Sequence, residues 1–599
     1  MKRITILVFL VLFIVITGTG QTCLPQGKTF SNQAQIDDFQ IDYPGCIEIL
    51  GSVTIVGSDI FNFSGLSVLT AIRGSLNIDG GDGNNDLFSL TGLNNIISVG
   101  DNLVIKNNEN LENLSGLESL ISVGSYFLVQ DNSNLENLEG LENLISIGNG
   151  LLIMSNDELV NFVGLESLNT ISGDFIIGQW NMPNPSLLNL SGLENLSFIG
   201  GEFKIESNML FNSMAGLNHL AEIGSDFSII DCSSLENFIG LDSLFSIGGD
   251  FRINHNYYLT NFMGLENLTF IFGGLHITNS TSLIDFIGFE NVKTIKEGLF
   301  IHDNPVLNNI NSLEGLNFLD GPISVRDNNL LPSMPEWANV TSIGGNLMIR
   351  DNASLVDLSG FDNVYSIWGD VTIKGNYSLN SLSGLGNLTT INGYVRIDSN
   401  ISLVNLSGLD NLVSIEEELL IWNNSLLNDI SNLENLTSIG GLLSISNNNI
   451  LNSLSGIDNI EPVTISELVI ANNSLLTECA VFSLCDYLDN LYGDVYISEN
   501  APGCNTQQEV EAECLVDVNE VNAELDFSIF PNPAINEIFI EIADGAFIDE
   551  INIYNHLGQN VWDANQFSNR IDVSKLTPGV YMIELVNGQE KIREKLIIR

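Results

Sequence analysis

Basic side chains are scarce in this chain, and they are not scattered. Between Gln21 and Glu524 there are eleven Lys and Arg against 63 Asp and Glu. Seven of the eleven recur at positions 13 or 15 of a 24-residue unit whose position 1 is a glycine such as Gly264: Lys106, Lys204, Arg252, Arg326, Arg350, Lys374 and Arg396. Four successive units put His302, Arg326, Arg350 and Lys374 at position 15, and Arg396, Phe300, Met348 and Trp422 share or border that column. Cations set among aromatic faces suit an anionic ligand, such as an acidic or sulfated glycan. Like charges stacked so closely also repel. The competing reading is therefore internal: Asp303, Asp327 and Asp351 follow at position 16 and can pair with the next unit's base. Exposed pairs of that kind are worth only ~0–1 kcal/mol each.

Two acidic sets could bind calcium. The turn Asp79-Gly80-Gly81-Asp82-Gly83-Asn84-Asn85-Asp86 gathers the carboxylates of Asp79, Asp82 and Asp86 with two amides in a Gly-rich segment, the ligand chemistry that Ca2+ prefers. Its spacing departs from the EF-hand pattern, and an inserted turn without an ion is the alternative. Calcium is the sole cofactor the sequence suggests. The second set, from Glu118, Glu142 and Glu166 to Glu434 and Asp458, occupies position 3 of successive units. It reads as a solvated ridge that opposes lateral aggregation, with weak calcium binding as the alternative.

No catalytic constellation emerges. The histidines His219, His255, His276, His302 and His556 show no metal-ligand spacing, and there is no Gly-x-Ser-x-Gly elbow, His-Glu-x-x-His or phosphate loop. A β-helix polysaccharide-active enzyme is the catalytic alternative. Such enzymes build a cleft from long, irregular loops, whereas here the unit keeps its length over eleven successive steps from Gly192 to Gly456. The expectation is a protein that is not an enzyme.

The element that must carry these side chains is the repeat itself. Apolar residues recur at positions 2, 5, 8, 12, 14, 20 and 23, as in Leu265, Leu268, Ile271, Leu275, Ile277, Leu283 and Phe286. Positions 12 and 14 alternate with an outward 13, which predicts a short strand. The remaining apolar positions step by three, which suits tight arcs and not an amphipathic helix. One strand per coil, stacked in register, predicts an all-β, parallel β-solenoid. About 19 rungs, from Val53-Ile55 to Val495-Ile497, give a rod about 90 Å long at ~4.8 Å per rung. Position 17 is Asn in most coils, from Asn108 to Asn448. A buried Asn after a strand can satisfy turn amides of its own and neighbouring coils, forming a ladder. Cys232 and Ser280 fill the same slot, so Cys232 reads as a ladder substitute.

The ends and the composition set the context. Lys2, Arg3 and the apolar run Ile4 to Ile16, followed by Gly18 and Gly20, predict a signal peptide over residues 1–20. Thirteen apolar residues are too few to cross a bilayer, and no later run is longer, so no transmembrane helix is expected. Over all 599 residues the formal charge is −55, which excludes nucleic acid as a partner. Cys23 and Cys46 flank the start of the repeats, and Cys479, Cys485, Cys504 and Cys514 flank their end. They predict disulfide-stapled caps over 21–50 and 476–514 around a 51–475 solenoid, the last four allowing three pairings.

The unit Leu-x-Ile-x-x-Asn-x-x-Leu resembles leucine-rich repeats. The run Cys46 to Ile55 and the phrase Leu244 to Ile253 resemble receptor L-domains, right-handed β-solenoids of receptor ectodomains and bacterial surface proteins. After a 515–526 linker, residues 527–599 alternate as seven short strands, the pattern of an Ig-like β-sandwich. Phe530-Pro531-Asn532-Pro533, Ile553 to Gln559 with Gly558, Leu576-x-x-Gly579-Val580-Tyr581 and Lys595 to Arg599 resemble the type A sorting domain of the type IX secretion system. That resemblance implies a Gram-negative source, passage through the type IX machinery and a cell-surface sortase as partner. Placement is then on the outer-membrane surface or outside the cell. The function expected is a surface-displayed binding or adhesion protein whose solenoid face engages a glycan or protein. A structural surface-layer or spacer element is the alternative.

Overall fold

The computed structural model describes residues 21–81, 87–490, 492–519, 527–542, 548–555, 558–564, 568–587 and 590–599. It forms two units, one ending at Gln507 and the other beginning at Gln508. The first is the solenoid. Its strands pair parallel and in register, Phe127 with Leu151 and Val129 with Ile153, so each apolar position stacks on its own kind. The in-facing side chains of the coil from Leu265 to Phe286 are all fully buried. Stacking equivalent positions also stacks rings: Phe175, Phe203, Phe227 and Phe251 follow one another at centroid separations of 5.3, 5.3 and 5.1 Å.

Twenty strands make this broad sheet, from Lys28–Phe30 to Asp494–Ser498. The rung beyond the expected nineteen comes from the N-terminal cap, where Lys28–Phe30 pairs with Val53–Ile55. The expectation of one strand per coil is corrected. A second, two-residue strand sits at positions 7 and 8, as in Ser122–Val123 and Phe270–Ile271. These short strands form a narrow sheet of thirteen that ends at Phe318–Leu319, followed by one of five from Ser342–Ile343. Two residues leave no room for alternation, so the period-three pattern hid them.

The corner at position 1 demands glycine where the chain turns through a left-handed conformation: φ is +117° at Gly116 and +104° at Gly264. At Gly264 a Cβ would stand 2.2 Å from the Phe238 carbonyl oxygen. At Ser312 and Asn432 the corner is instead a 3₁₀ turn, Asn311–Leu313 or Ser431–Leu433, and other residues are accommodated.

The asparagine column forms the expected ladder. In each link the side-chain oxygen accepts the backbone N–H of the preceding Asn, and the side-chain amide donates to a strand carbonyl of the preceding coil. For Asn352 these are Asn328 N–H at 3.1 Å and Val325 O at 2.9 Å. The ladder also takes in Asn184 across the four-residue insertion, and it continues through Asn473 to Asn500 in the C-terminal cap. Cys232 lies buried in its slot with its Sγ 3.7 Å from Ile205 O, and burial pushes its thiol up to about 12. The position-3 acids are engaged locally: Glu118, Glu142, Glu266 and Asp410 each accept the N–H of their own coil's position-1 glycine at 2.8–3.0 Å.

Both ends are stapled, by Cys23–Cys46 and Cys479–Cys504; Cys485 and Cys514 are disulfide-bonded as well. A helix over Phe482–Asn490 buries Leu484, Tyr487 and Leu488 against the last coils, as a cap must, since a terminal coil has no neighbour to cover its core. The helix Gln507–Asn519 runs beyond Cys514. From Phe527 onward seven antiparallel strands form one sheet of three and one of four, around a core that includes Ile538, Ile551, Ile553, Ile583 and Leu596.

Replacing Asn352 with Ala leaves the Asn328 N–H buried without its acceptor and removes one donor from the Val325 carbonyl. At ~1–3 kcal/mol for an orphaned buried group, the expected loss is about 1–3 kcal/mol in urea unfolding. Cys232→Asn, which supplies the missing ladder oxygen, is expected to raise the midpoint.

Candidate functional site

Stacking in register turns each sequence position into a column on the outer face. The predicted column is continuous: His302, Arg326, Arg350, Lys374, Asp398 and Trp422 are successive register partners. Two positions nearer the start of each strand run Phe300, Ser324, Met348, Thr372 and Arg396. All eight predicted residues therefore lie on one face of six adjacent strands. Phe300 stacks flat on His276 at 4.4 Å, and the Arg396 guanidinium lies 5.1 Å from the Trp422 ring centroid. The His302 Nε2 is 2.8 Å from Ser324 Oγ, and the Trp422 Nε1–H donates to Ser444 Oγ at 2.8 Å.

The bases of this column have carboxylate partners. Arg326 meets Asp327 at 3.1 Å and Asp303 at 3.6 Å, and Arg350 meets Asp351 at 2.5 Å. Asp303 pairs with the next coil's base as anticipated, whereas Asp327 and Asp351 each serve the arginine of their own coil. Lys374 and Arg396 converge on Asp398, at 3.2 and 2.5 Å, and only 3% of that side chain is exposed. Burial raises the Asp398 pKa, but hydrogen bonds from Asn423, Ser399, Arg396 and Lys374 outweigh it and hold the carboxyl at about 2. Asp398 was not legible beforehand, because it sits at a base position of the next coil and only stacking brings it between two cations. A second cluster shows the same logic, with Arg252 paired to both Asp226 and Asp250.

Of the calcium candidates, Asp82 and Asp86 lie outside the described residues. Asp79 ends the strand Leu76–Asp79, with Lys106 at 3.1 Å and the Asn107 side-chain amide at 2.7 Å. Burial works to raise its pKa, but these groups and the Gly81 N–H keep it below its ordinary range. Among the described residues no group of three or more His, Cys, Asp or Glu is gathered as a metal site.

In the second unit the sorting motifs come together. The Asn532 side chain donates to Lys595 O at 2.7 Å and accepts from Ile597 N–H at 2.8 Å, and the Ala534 N–H donates to Ile597 O at 2.7 Å. The Pro531-Asn532-Pro533 segment thus clamps the terminal strand Glu590–Ile598. Gly558 takes a left-handed turn at φ +69°. Tyr581, two residues after Gly579, donates its hydroxyl to Thr577 O at 2.8 Å. Residues 528–599 match the family described as "Secretion system C-terminal sorting domain". This tail is a type IX sorting domain. It directs the chain to the cell surface or beyond. Among the described residues no helix is long and apolar enough to cross a membrane. No curated protein matches the chain. A solved structure titled "Crystal structure of TLR13-ssRNA13 complex" aligns over 79% of this chain and 94% of that one, at 13% identity. Its TM-score of 0.17 is too low to bear on the fold.

Two outcomes follow for the basic column and the tail. Burial and then the neighbouring Arg326 depress His302 to about 4, so its ring should remain neutral from about pH 5 upward. The column's positive charge at neutral pH then comes from Arg326, Arg350 and Lys374 alone. A ring that titrates near 6.5 by NMR contradicts this. Deleting residues 527–599 should abolish surface display and leave the solenoid protease-resistant in the periplasm; normal surface levels would count against the sorting role.

Proposed function

We propose that this chain is a non-catalytic binding or adhesion protein, displayed on the cell surface, whose broad sheet engages a glycan or protein ligand. The observation that carries the reading is a sorting tail joined to a twenty-strand sheet whose outward basic and aromatic residues occupy successive register positions. Arg326 and Arg350 keep 36% and 48% of their side chains exposed. Exposed ion pairs contribute little, so a ligand carboxylate or sulfate can replace Asp327 or Asp351 at small cost.

The non-catalytic reading rests on chemistry. The nearest approach to a nucleophile–base pair in the column is Ser324 with His302. A ring depressed to about 4 is a weak base at neutral pH, and among the described residues no carboxylate is hydrogen-bonded to orient it. A spacer is the second reading, favoured by the aspartates already paired with the column.

Changing Arg326, Arg350 and Lys374 together to Ser separates the two. Loss of adhesion or glycan binding, with a melting temperature within about 2 °C of wild type, supports the binding face. Lost stability with intact adhesion supports the spacer.

A further inference from the structure

Ion pairing sorts the solenoid's bases into two groups. Arg73 and the seven strand bases, Lys106 to Arg396, each have a carboxylate within 4 Å. Lys28, Lys293 and Lys296 do not, among the described residues, although acids outnumber bases almost sixfold here. Lys28 instead lies over the Phe30 and Tyr43 rings, 5.8 and 5.5 Å from their centroids, and donates to the Tyr43 hydroxyl at 3.4 Å. Lys293 and Lys296 have no such contact among the described residues, and neither of these two lies on the broad sheet. They flank the two-residue strand Thr294–Ile295 of the narrow sheet, on the other side of the coil.

Their neighbours on that sheet are exposed rings. The strands Ser246–Ile247, Phe270–Ile271, Thr294–Ile295 and Phe318–Leu319 are consecutive, with Phe270, Thr294 and Phe318 in one register column. Phe245, Phe272 and Phe318 are 50%, 47% and 47% exposed. Phe270 holds two of them in place, edge-on to Phe245 at 5.2 Å and stacked with Phe272 at 5.8 Å. Three large apolar side chains left half in water cost solvation free energy, and a grouped set marks a binding surface more than a single exposed ring does. The rings lie on both sides of the two lysines, over three coil steps. At ~4.8 Å per step this spans about 14 Å.

We propose that this patch is a binding site for an acidic oligosaccharide of two or three residues. Phe245, Phe272 and Phe318 contact the apolar faces of the sugar rings, and Lys296 pairs with a uronate carboxylate. Charge favours this occupant. Glu297 follows Lys296 in sequence and Asp320 holds the same position one coil on, yet among the described residues no carboxylate stands within 4 Å of the Lys296 ammonium. The chain's more distant acids are screened beyond about 8–10 Å. The site goes beyond the basic column: there the bases have partners built into the protein, whereas these lysines lack one.

The experiment uses the full chain with labelled tetragalacturonate as probe, neutral maltotetraose as control, and a peptide of alternating Glu and Phe as competitor. Lys296→Ser is expected to weaken tetragalacturonate binding about fivefold and Phe272→Ser about tenfold, with unchanged melting temperatures. Lys296→Arg should restore most of the loss, and maltotetraose should bind at least about tenfold more weakly than the uronate. Both altered positions are on the solvent face, and retention of the melting temperature checks that each variant folds. The proposal is overturned if wild type does not bind tetragalacturonate or if both Ser variants bind it as wild type does. It is equally overturned if the acidic peptide binds more tightly than the uronate. If the Arg326/Arg350/Lys374 triple variant removes uronate binding and the Lys296 and Phe272 variants do not, the anion site is the broad-sheet column instead. Failure of the triple variant to affect adhesion leaves the narrow-sheet site standing.

Discussion

A coil of 24 residues cannot satisfy its own turn amides, and that shortfall organises the solenoid. Each turn after the broad strand leaves the backbone N–H of its own asparagine buried. The asparagine of the next coil accepts it and donates back to a strand carbonyl, as Asn352 does for Asn328 and Val325. The geometry works only if the next coil sits directly above, in register and one rung away. The ladder therefore penalises any slip of register through buried, unpaired polar groups. It tolerates a four-residue insertion because Asn184 restores the link, and it tolerates Cys232 because a thiol at least fits the slot.

Strict register has a consequence for the surface, since it stacks like on like. Inside, this is favourable: phenylalanine rings and leucines repeat on themselves. Outside, it would build columns of repelling charge. The chain manages this in two ways. Acids at position 3 such as Glu118, Glu142, Glu266 and Asp410 are tied to the amide of their own coil's glycine, so these carboxylates answer a local donor. Bases on the broad sheet are interleaved with aspartates at the strand ends, and the two nearest the Trp422 end share the buried Asp398. Among the described residues Lys293 and Lys296, which have no carboxylate within 4 Å, are informative. They flank a narrow-sheet strand near exposed phenylalanines, outside this scheme.

The sorting unit follows other rules. Its seven antiparallel strands bury alternate residues around an ordinary apolar core, and its motif residues act as fasteners. Asn532 reaches the backbone of a strand some 63 residues later, so the Pro-Asn-Pro segment and the chain terminus form one structure. Glu584, fully buried, is hydrogen-bonded by Tyr554, Lys591 and Arg593, a network that binds the last two strands together.

Periodicity made most of the fold legible. A residue type that recurs every 24 positions must face the same way in every coil, so the inward rows, the Asn ladder, the outward basic column and the capping role of the terminal cysteines could be read from spacing alone. The sorting tail was legible through its motifs. What spacing could not carry was anything decided between coils or within two residues. The narrow sheet escaped because two-residue strands have no alternation to detect. The pairing of Cys479 with Cys504 needed the cap's geometry. The partners of the bases depended on which side chains meet across a rung, so Asp398 became the hub for Lys374 and Arg396 although nothing in its local sequence marks it. For the same reason the sequence set Lys293 and Lys296 apart only by position, off the outward sites of the broad strand, and not by pairing: a charge is free or neutralised only relative to neighbours one coil away, and those distances belong to the tertiary structure.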